Sequence, residues 1–287
     1  MIADFFSALF DPSIPLIRYA VIAGLVSSIA FGMIGSYVVV KRTTYIAGAV
    51  SHAALAGIGL SVFLKELYSI MWLTPLLGGI AASVTAALVI SWITLKGSER
   101  SDTAIGIVWS VGMAAGLLFI FKTPGYGNPM SYLFGNILLI TKNDLLIITA
   151  LDIAVVLVIL LFYRQFLALS FDEEFTRVRG VNTIFYDTLL NILIAVTVVL
   201  MVSTVGILMV IAFLTIPPAA AGLFTNRLWK MMALSVLICA SVTFIGLYIS
   251  FALDIPSGPT TIIAAAFLYF ILIPIGKLAG AKNSKKD

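Results

Sequence analysis

Residues 144–163 read Asp-Leu-Leu-Ile-Ile-Thr-Ala-Leu-Asp-Ile-Ala-Val-Val-Leu-Val-Ile-Leu-Leu-Phe-Tyr, and Arg164 follows them. An apolar run of this length can cross a bilayer as a helix. The whole chain of 287 residues is 61% hydrophobic and only 10% charged, whereas a globular domain carries roughly 25% charged residues. The composition therefore predicts an all-α, polytopic membrane protein. The apolar runs are continuous rather than alternating, which excludes a transmembrane barrel.

Hydropathy predicts nine apolar segments in a single transmembrane domain, residues 1–287. They lie at about 17–40, 44–64, 72–95, 103–121, 144–163, 184–204, 206–223, 231–250 and 259–276. The turn before Gly206 is so short that one of its two flanking segments can be broken or partial, so we expect eight or nine helices. The first 15 residues, too short to span, are expected along the membrane interface.

The basic residues predict the orientation, because cytoplasmic loops carry an excess of Lys and Arg. If residues 170–181 are cytoplasmic, the same side holds thirteen of the 17 basic residues and the other side holds Arg18, Lys65, Lys122 and Lys142. The N-terminus is then outside and the C-terminus inside. The net charge of +4 does not indicate a nucleic-acid partner, because the basic residues lie at the ends of spans rather than in one patch.

Residues 170–181, Ser-Phe-Asp-Glu-Glu-Phe-Thr-Arg-Val-Arg-Gly-Val, form the most charged stretch of the chain. One interpretation is an ordinary cytoplasmic loop. The other is a short helix that projects from the membrane and docks on a partner. In that helix Phe171 and Phe175, at i and i+4, would provide the anchor, and Gly180 would end it.

His52 is the only histidine, about eight residues into the second apolar segment, or roughly 12 Å from its cytoplasmic end. Gly48, Ala56 and Gly59 share its face and are expected to leave space around the imidazole. An ionisable residue at this depth predicts a functional site, and imidazole binds zinc, iron and nickel more strongly than manganese. The alternative is a structural histidine that makes an interhelical hydrogen bond. Ser51 precedes it.

Asp152 lies at a similar depth in the fifth segment and is a candidate metal ligand, proton carrier or partner of His52. Asn191 is a candidate for the pathway or for plain interhelical hydrogen bonding, and Asp187, near a span end, is expected to be solvated. The chain has no Gly-x-x-x-x-Gly-Lys-Ser/Thr for ATP and no His-Glu-x-x-His. A single histidine also excludes a two-histidine metal site within one chain.

Several segments resemble the permease subunits of bacterial zinc/manganese/iron-type ABC metal importers. The first two are Gly35-Ser-Tyr-Val-Val-Val-Lys-Arg42 and Ile46-Ala-Gly-Ala-Val-Ser-His-Ala-Ala-Leu-Ala-Gly57. The others are Ala104-Ile-Gly-Ile-Val-Trp-Ser110, Leu133-Phe-Gly-Asn-Ile137, Phe171-Asp-Glu-Glu-Phe-Thr-Arg-Val-Arg-Gly-Val181, residues 205–221 and Pro256-Ser-Gly-Pro259. The resemblance covers nearly the whole chain in the right order.

This resemblance implies a type II-like ABC importer permease fold in the bacterial cytoplasmic membrane, without enzymatic activity or a permanently bound cofactor. It implies a homodimer that moves zinc, manganese or iron inward by alternating access, with His52 on the pathway. An extracellular or periplasmic metal-binding protein would deliver the ion. Cytoplasmic ABC ATPase subunits would dock on a coupling helix at residues 170–181. The residues assigned to that docking are Phe171, Asp172, Glu173, Glu174, Phe175, Arg177 and Gly180.

The sequence departs from the family pattern at one position. Many members carry an aspartate four residues before the histidine, where this chain has Gly48. If that acid is a ligand in the relatives, this protein uses another group, such as Asp152, or binds a different metal or a metal chelate. A stand-alone secondary transporter and an intramembrane enzyme are the alternatives. Ser51 is a poor catalytic partner for His52, because adjacent helix residues point apart.

Overall fold

The structure, a computed structural model, describes residues 2–10, 15–70, 72–96, 101–124, 133, 135 and 140–283. Within these ranges the chain forms twelve helices of stated bounds and no strand, which confirms the all-α prediction. They are α1 (Ile2–Phe10), α2 (Pro15–Val40), α3 (Thr44–Tyr68), α4 (Pro75–Lys96), α5 (Ser101–Lys122), α6 (Lys142–Leu161), α7 (Tyr163–Phe171), α8 (Glu173–Val178), α9 (Thr183–Val205), α10 (Ile207–Gly222), α11 (Leu228–Leu253) and α12 (Ser257–Asn283).

Eight of these helices, α2 to α6, α9, α11 and α12, are long and apolar enough to cross a membrane. The prediction of eight or nine spans is therefore confirmed. The ambiguity near Gly206 also has a structural reason: this residue has a φ of 88° and separates α9 from α10. With 16 residues, two of them the internal Pro217 and Pro218, α10 is the short member of the pair.

The chain divides into two compact units. Unit 1 comprises Met1–Val39, Asn136–Val158 and Ala212–Asp287. In it α11 packs on α12, where Gly246 meets Thr261. The short α1 packs on α11 through Phe5, which is buried.

Unit 2 comprises Val40–Gly135 and Ile159–Ile211, and α3 is its central helix, in contact with α4, α5 and α9. Small residues permit these contacts. A Cβ added to Gly59 would lie 2.7 Å from the Gly116 carbonyl oxygen of α5, and Gly57 meets the backbone of Gly78 in α4. Helices in lipid commonly associate through such close backbone approach. Neighbouring helices surround α3, and 83% of its apolar 18-residue membrane-spanning stretch is therefore buried.

Candidate functional site

His52 lies in α3 and is only 5% exposed. Its Nδ1 atom is buried and has no hydrogen-bond partner within the part of the chain that the structure describes. The alternative of a structural histidine satisfied through Nδ1 therefore finds no support there. A buried nitrogen without a partner costs about 1–3 kcal/mol, so the Nδ1 atom of His52 stays a candidate ligand atom.

The expectation of open space around the imidazole is wrong. The indole of Trp109, from α5, lies against the His52 ring, with the ring centroids 5.0 Å apart and the planes tilted by 31°. Trp109 also contacts Gly48, where any added Cβ would overlap the indole. The space that glycine leaves one turn before His52 is thus filled by an aromatic ring. In the sequence Trp109 lies within one of the motifs but shows no sign of a function, because an apolar residue in an apolar span carries no signal.

Ser51 is fully buried, and its hydroxyl donates to the Ala47 carbonyl of its own helix at 2.7 Å. Its side chain is therefore engaged in the local backbone. This contact indicates a packing role for Ser51.

Asp152 lies in α6, in unit 1, and is 4% exposed. Its Oδ2 atom is buried with no hydrogen-bond partner among the described residues. A buried carboxylate oxygen that is left unpaired is costly, so Asp152 remains a candidate ligand or proton carrier. His52 belongs to unit 2, and its pairing with Asp152 stays a prediction.

Within the described ranges, no three His, Cys, Asp or Glu side chains converge as a metal site. His52 and Asp152 are thus single candidate ligands in their respective units. A metal ion that passes one of them needs further ligands, from carbonyl groups, water or a second protein copy.

Asn191 lies in α9, and its amide donates to Ser91 of α4 at 2.9 Å and to Asp187 of its own helix at 3.1 Å. These contacts match the interhelical hydrogen bonding that was the second interpretation of Asn191. The expectation that Asp187 is solvated is wrong, because its side chain is only 16% exposed and is paired with Lys41. Lys41 follows α2 directly, and sequence separation hid this partner.

The charged segment 170–181 contains the six-residue helix α8. Asp172 has an extended backbone, with φ −153° and ψ 102°, and therefore separates helix α7 from helix α8. Its Oδ1 accepts a hydrogen bond from the backbone N–H of Phe175 at 2.9 Å. The expectation that Phe171 and Phe175 share one helix at i and i+4 is therefore wrong. Aspartate was available as an N-cap signal at this position.

Gly180 has a φ of 80°, and its N–H bonds the Arg177 carbonyl, while Val181 N–H bonds that of Thr176. This pair of bonds is a Schellman motif, which ends helices through a left-handed glycine. Gly180 therefore closes α8 as expected. Glu173 and Glu174 occupy the first turn and Arg177 the last, the arrangement that the helix dipole favours.

Large apolar side chains around α8 are exposed. We define the docking surface as Phe171, Phe175, Val178, Ile184 and Phe185, each at least 52% exposed. These residues surround or adjoin the charged stretch 172–179, where a lipid-facing position is unfavourable. Their exposure next to charged residues is typical of a protein contact site.

Helix α7, which precedes α8, packs against α9. Phe166 of α7 is fully buried, with its ring 6.2 Å from Tyr186, and Phe162 lies 5.6 Å from the same ring. Beside α8 is a polar cavity of about 320 Å³. Its lining includes Glu173 and Arg177 of α8, together with Lys41, Asp187 and Asn191. α8 and the polar network of Lys41, Asp187 and Asn191 therefore border the same cavity.

Comparison with known proteins places these features in context. The family described as the ABC 3 transport family matches residues 13–275. A probable metal transport system membrane protein of Chlamydia pneumoniae is 37% identical over 257 residues, which cover 88% of this chain and 87% of that protein. The manganese transport system membrane protein MntC of Listeria monocytogenes is 32% identical over 270 residues, or 94% of each chain.

The fold is similar to a solved structure described as PsaBC from Streptococcus pneumoniae in complex with Fab. The TM-score is 0.83 at 31% sequence identity, and the match covers 95% of each chain. The similarity therefore extends over nearly all of the helices.

Proposed function

This chain belongs to the ABC 3 transport family, and from that premise we propose that it is the permease subunit of an ATP-driven importer for a divalent transition metal, manganese first and zinc or iron second. The observation that carries the proposal is a buried imidazole in the central helix of unit 2 of a family member, with no Nδ1 partner among the residues that the structure describes. The name of the Listeria relative supports manganese.

His52 is proposed to line the metal path. The described residues contain no complete ligand set, whereas manganese and its neighbours in the periodic table need four to six ligands. A homodimer is the simplest assembly that supplies more, with Asp152 as a further candidate ligand. The path then alternates between outward and inward access as the two copies move, and it passes the metal on without retaining it.

Energy is proposed to enter through the docking surface. One cytoplasmic ATPase subunit binds α8 of each permease through Phe171, Phe175 and the charged residues between and after them. Asp172, Glu173, Glu174, Arg177 and Gly180 give this helix its ends and its charge. Because α7 and α8 are packed on α9, closure of the ATPases is transmitted to the spans.

The remaining partners follow from the orientation proposed above. The excess of basic residues on the side of α8 supports a cytoplasmic location for that side in a bacterial cell, with the N-terminus outside. A metal-binding protein then delivers the ion from the extracellular or periplasmic side. The permease itself catalyses no reaction, since ATP hydrolysis resides in the partner subunits.

The test is uptake into proteoliposomes that contain the chain, its ATPase and its binding protein. Manganese, zinc and iron are offered in competition to wild type, His52→Ala and the neighbouring control Ser51→Ala. We expect ATP-dependent uptake that is lost in His52→Ala and kept in Ser51→Ala. Uptake unaltered in His52→Ala would show that the imidazole is not on the path, and uptake without ATP would favour a secondary transporter.

Docking is tested separately by co-purification of the ATPase. Phe175→Ala removes a ring from the docking surface, whereas Leu161→Ala removes a side chain that is still more exposed, 72% against 56%, at the end of α6. We expect weaker ATPase association and slower uptake only in Phe175→Ala. Equal association of both variants would refute the docking role of α8.

A further inference from the structure

We propose that Trp109 covers His52 and thereby limits how tightly zinc can be held at its imidazole. The proposal rests on the proposed role of His52 in the metal path. It adds to that role a residue of a second helix, α5, and a physical reason why the path can release its ion.

The cover is visible in the contact between the two rings. The indole and imidazole centroids are 5.0 Å apart, and the Nδ1 atom of His52 is buried without a hydrogen-bond partner among the described residues. A metal ion cannot reach a nitrogen that is inaccessible to water. Coordination through Nδ1 therefore requires the side chains packed on the imidazole to move, and the indole is the aromatic ring in contact with it.

The position of Trp109 is set by the packing of α5 on α3. Gly112 and Gly116 follow Trp109 at i+3 and i+7, on the same helical face. A Cβ at Gly112 would lie 2.8 Å from the Ala53 backbone nitrogen, and one at Gly116 would lie 2.7 Å from the Leu55 backbone carbon. These two contacts bring the helices together just beyond His52, so the indole is directed to the imidazole.

Gly48 completes the arrangement from the other side. A Cβ at this position would overlap the six-membered ring of Trp109. Glycine at 48 and tryptophan at 109 are therefore matched in shape. Any larger residue at position 48 would push the indole from its place over His52.

The effect of the cover is largest for zinc because of the relative affinities of the metals for imidazole. Zinc binds nitrogen ligands more tightly than manganese does, as the order of divalent metal affinities requires. A permanently open imidazole would thus bind zinc tightly and release it slowly. The contact between the two rings must be broken before any ion binds, and this cost lowers the affinity for every ion. A transport path must release its ion, and zinc would be released most slowly from an open imidazole. The lower affinity therefore speeds release most for zinc.

The first test measures zinc inhibition of ATP-driven manganese uptake in the reconstituted importer. Trp109→Ala removes the cover, and Trp109→Phe keeps an aromatic ring over His52. Aromatic contacts contribute up to about 1.5 kcal/mol, so we expect Trp109→Ala to be inhibited at about tenfold lower zinc concentration. Trp109→Phe should remain close to wild type. Wild-type zinc sensitivity in Trp109→Ala would overturn the proposal.

The second test observes the indole itself in the purified permease without ATP. The full chain is labelled with 5-fluorotryptophan, and Trp109→Phe identifies the ¹⁹F signal of Trp109. We expect zinc to shift this signal in the wild type, to leave it unshifted in His52→Ala, and to leave the signal of Trp92 unchanged. A Trp109 signal that does not respond to zinc would overturn the proposal even if Trp109→Ala fails to fold.

The two proposals can fail separately. Normal uptake in His52→Ala would remove the metal path at His52. Loss of uptake in His52→Ala, together with unchanged zinc sensitivity in Trp109→Ala, would leave that path intact and remove only the covering role of Trp109.

Discussion

Lys41 and Asp187 form an ion pair between the end of α2 and the first turns of α9, across 146 positions of sequence. Both side chains are largely buried, at 11% and 16% exposure. Asp187 also accepts from Asn191, which donates in turn to Ser91 of α4. Lys41 is thus joined to α9 and α4 by one polar network beside α8.

Breaking this pair should destabilise the permease. Lys41→Met leaves the Asp187 carboxylate without its cation in a poorly solvated place, so we expect a loss of about 2 kcal/mol. The measurement is the apparent Tm in detergent, with the exposed Lys142→Met as control. A double-mutant cycle with Asp187→Asn isolates the pair, and additive effects of the two substitutions would show that they do not interact.

The approach of α4 to α3 predicts a steric effect at Gly78. An added methyl group would overlap Ser61 and the Gly57 backbone, so Gly78→Ala should cost about 1–3 kcal/mol. Gly106→Ala in α5 is the matched control, because nothing lies within 4 Å of its added Cβ. Similar thermal stability for the two variants would contradict this packing.

Alanine substitutions at two glycines with positive φ are expected to destabilise the fold to different extents. Gly135 has a φ of 63° and meets the Val205–Gly206 backbone, whereas Gly180 has a φ of 80° and open space around it. Gly180→Ala therefore carries only the left-handed backbone strain, about 1–2 kcal/mol. Gly135→Ala adds a clash with rigid backbone and should lower the yield of folded protein more strongly. Comparison of size-exclusion profiles and apparent Tm values checks this order.

The N-terminal helix is expected to depend on Phe5. Its ring lies 5.4–5.8 Å from those of Phe251, Tyr248 and Phe244 in α11. Phe5→Ala should cost about 3 kcal/mol and release α1 from α11. Phe10→Ala, at a residue that is 75% exposed, is the control. Limited proteolysis of α1 measures its release, and equal cleavage of both variants would refute the anchor.

Sequence reasoning was accurate where the signal is local. Apolar runs have the length of a membrane span, so the predicted segments match the helices to within a few residues, including the break at Gly206. Gly180 was recognised as the end of α8 because a left-handed glycine acts within one turn. Phe171 and Phe175 were wrongly expected in one helix, because Asp172 between them is compatible both with a helix interior and with an N-cap. The i and i+4 spacing of the phenylalanines favoured the first interpretation.

The candidate site was predictable only in part. His52 stood out because an ionisable group is rare and costly in an apolar span. Trp109 did not stand out, because it belongs to another helix and is an apolar residue among apolar residues. Lys41 and Asp187 were missed because charged residues at span ends are ordinary, and their pairing depends on how the helices pack.

By itself, the sequence determined that this chain is helical, that it can cross a membrane eight or nine times, and which family its motifs resemble. Those properties follow from hydrophobic length and local backbone preference, which each segment carries alone. Only the tertiary structure decided that Trp109 covers His52, that Gly48 makes room for the indole, and that Asp187 has a partner in Lys41. Such contacts depend on the register and separation of neighbouring helices. In lipid these are set by the close fit of small residues and not by any property of a single segment.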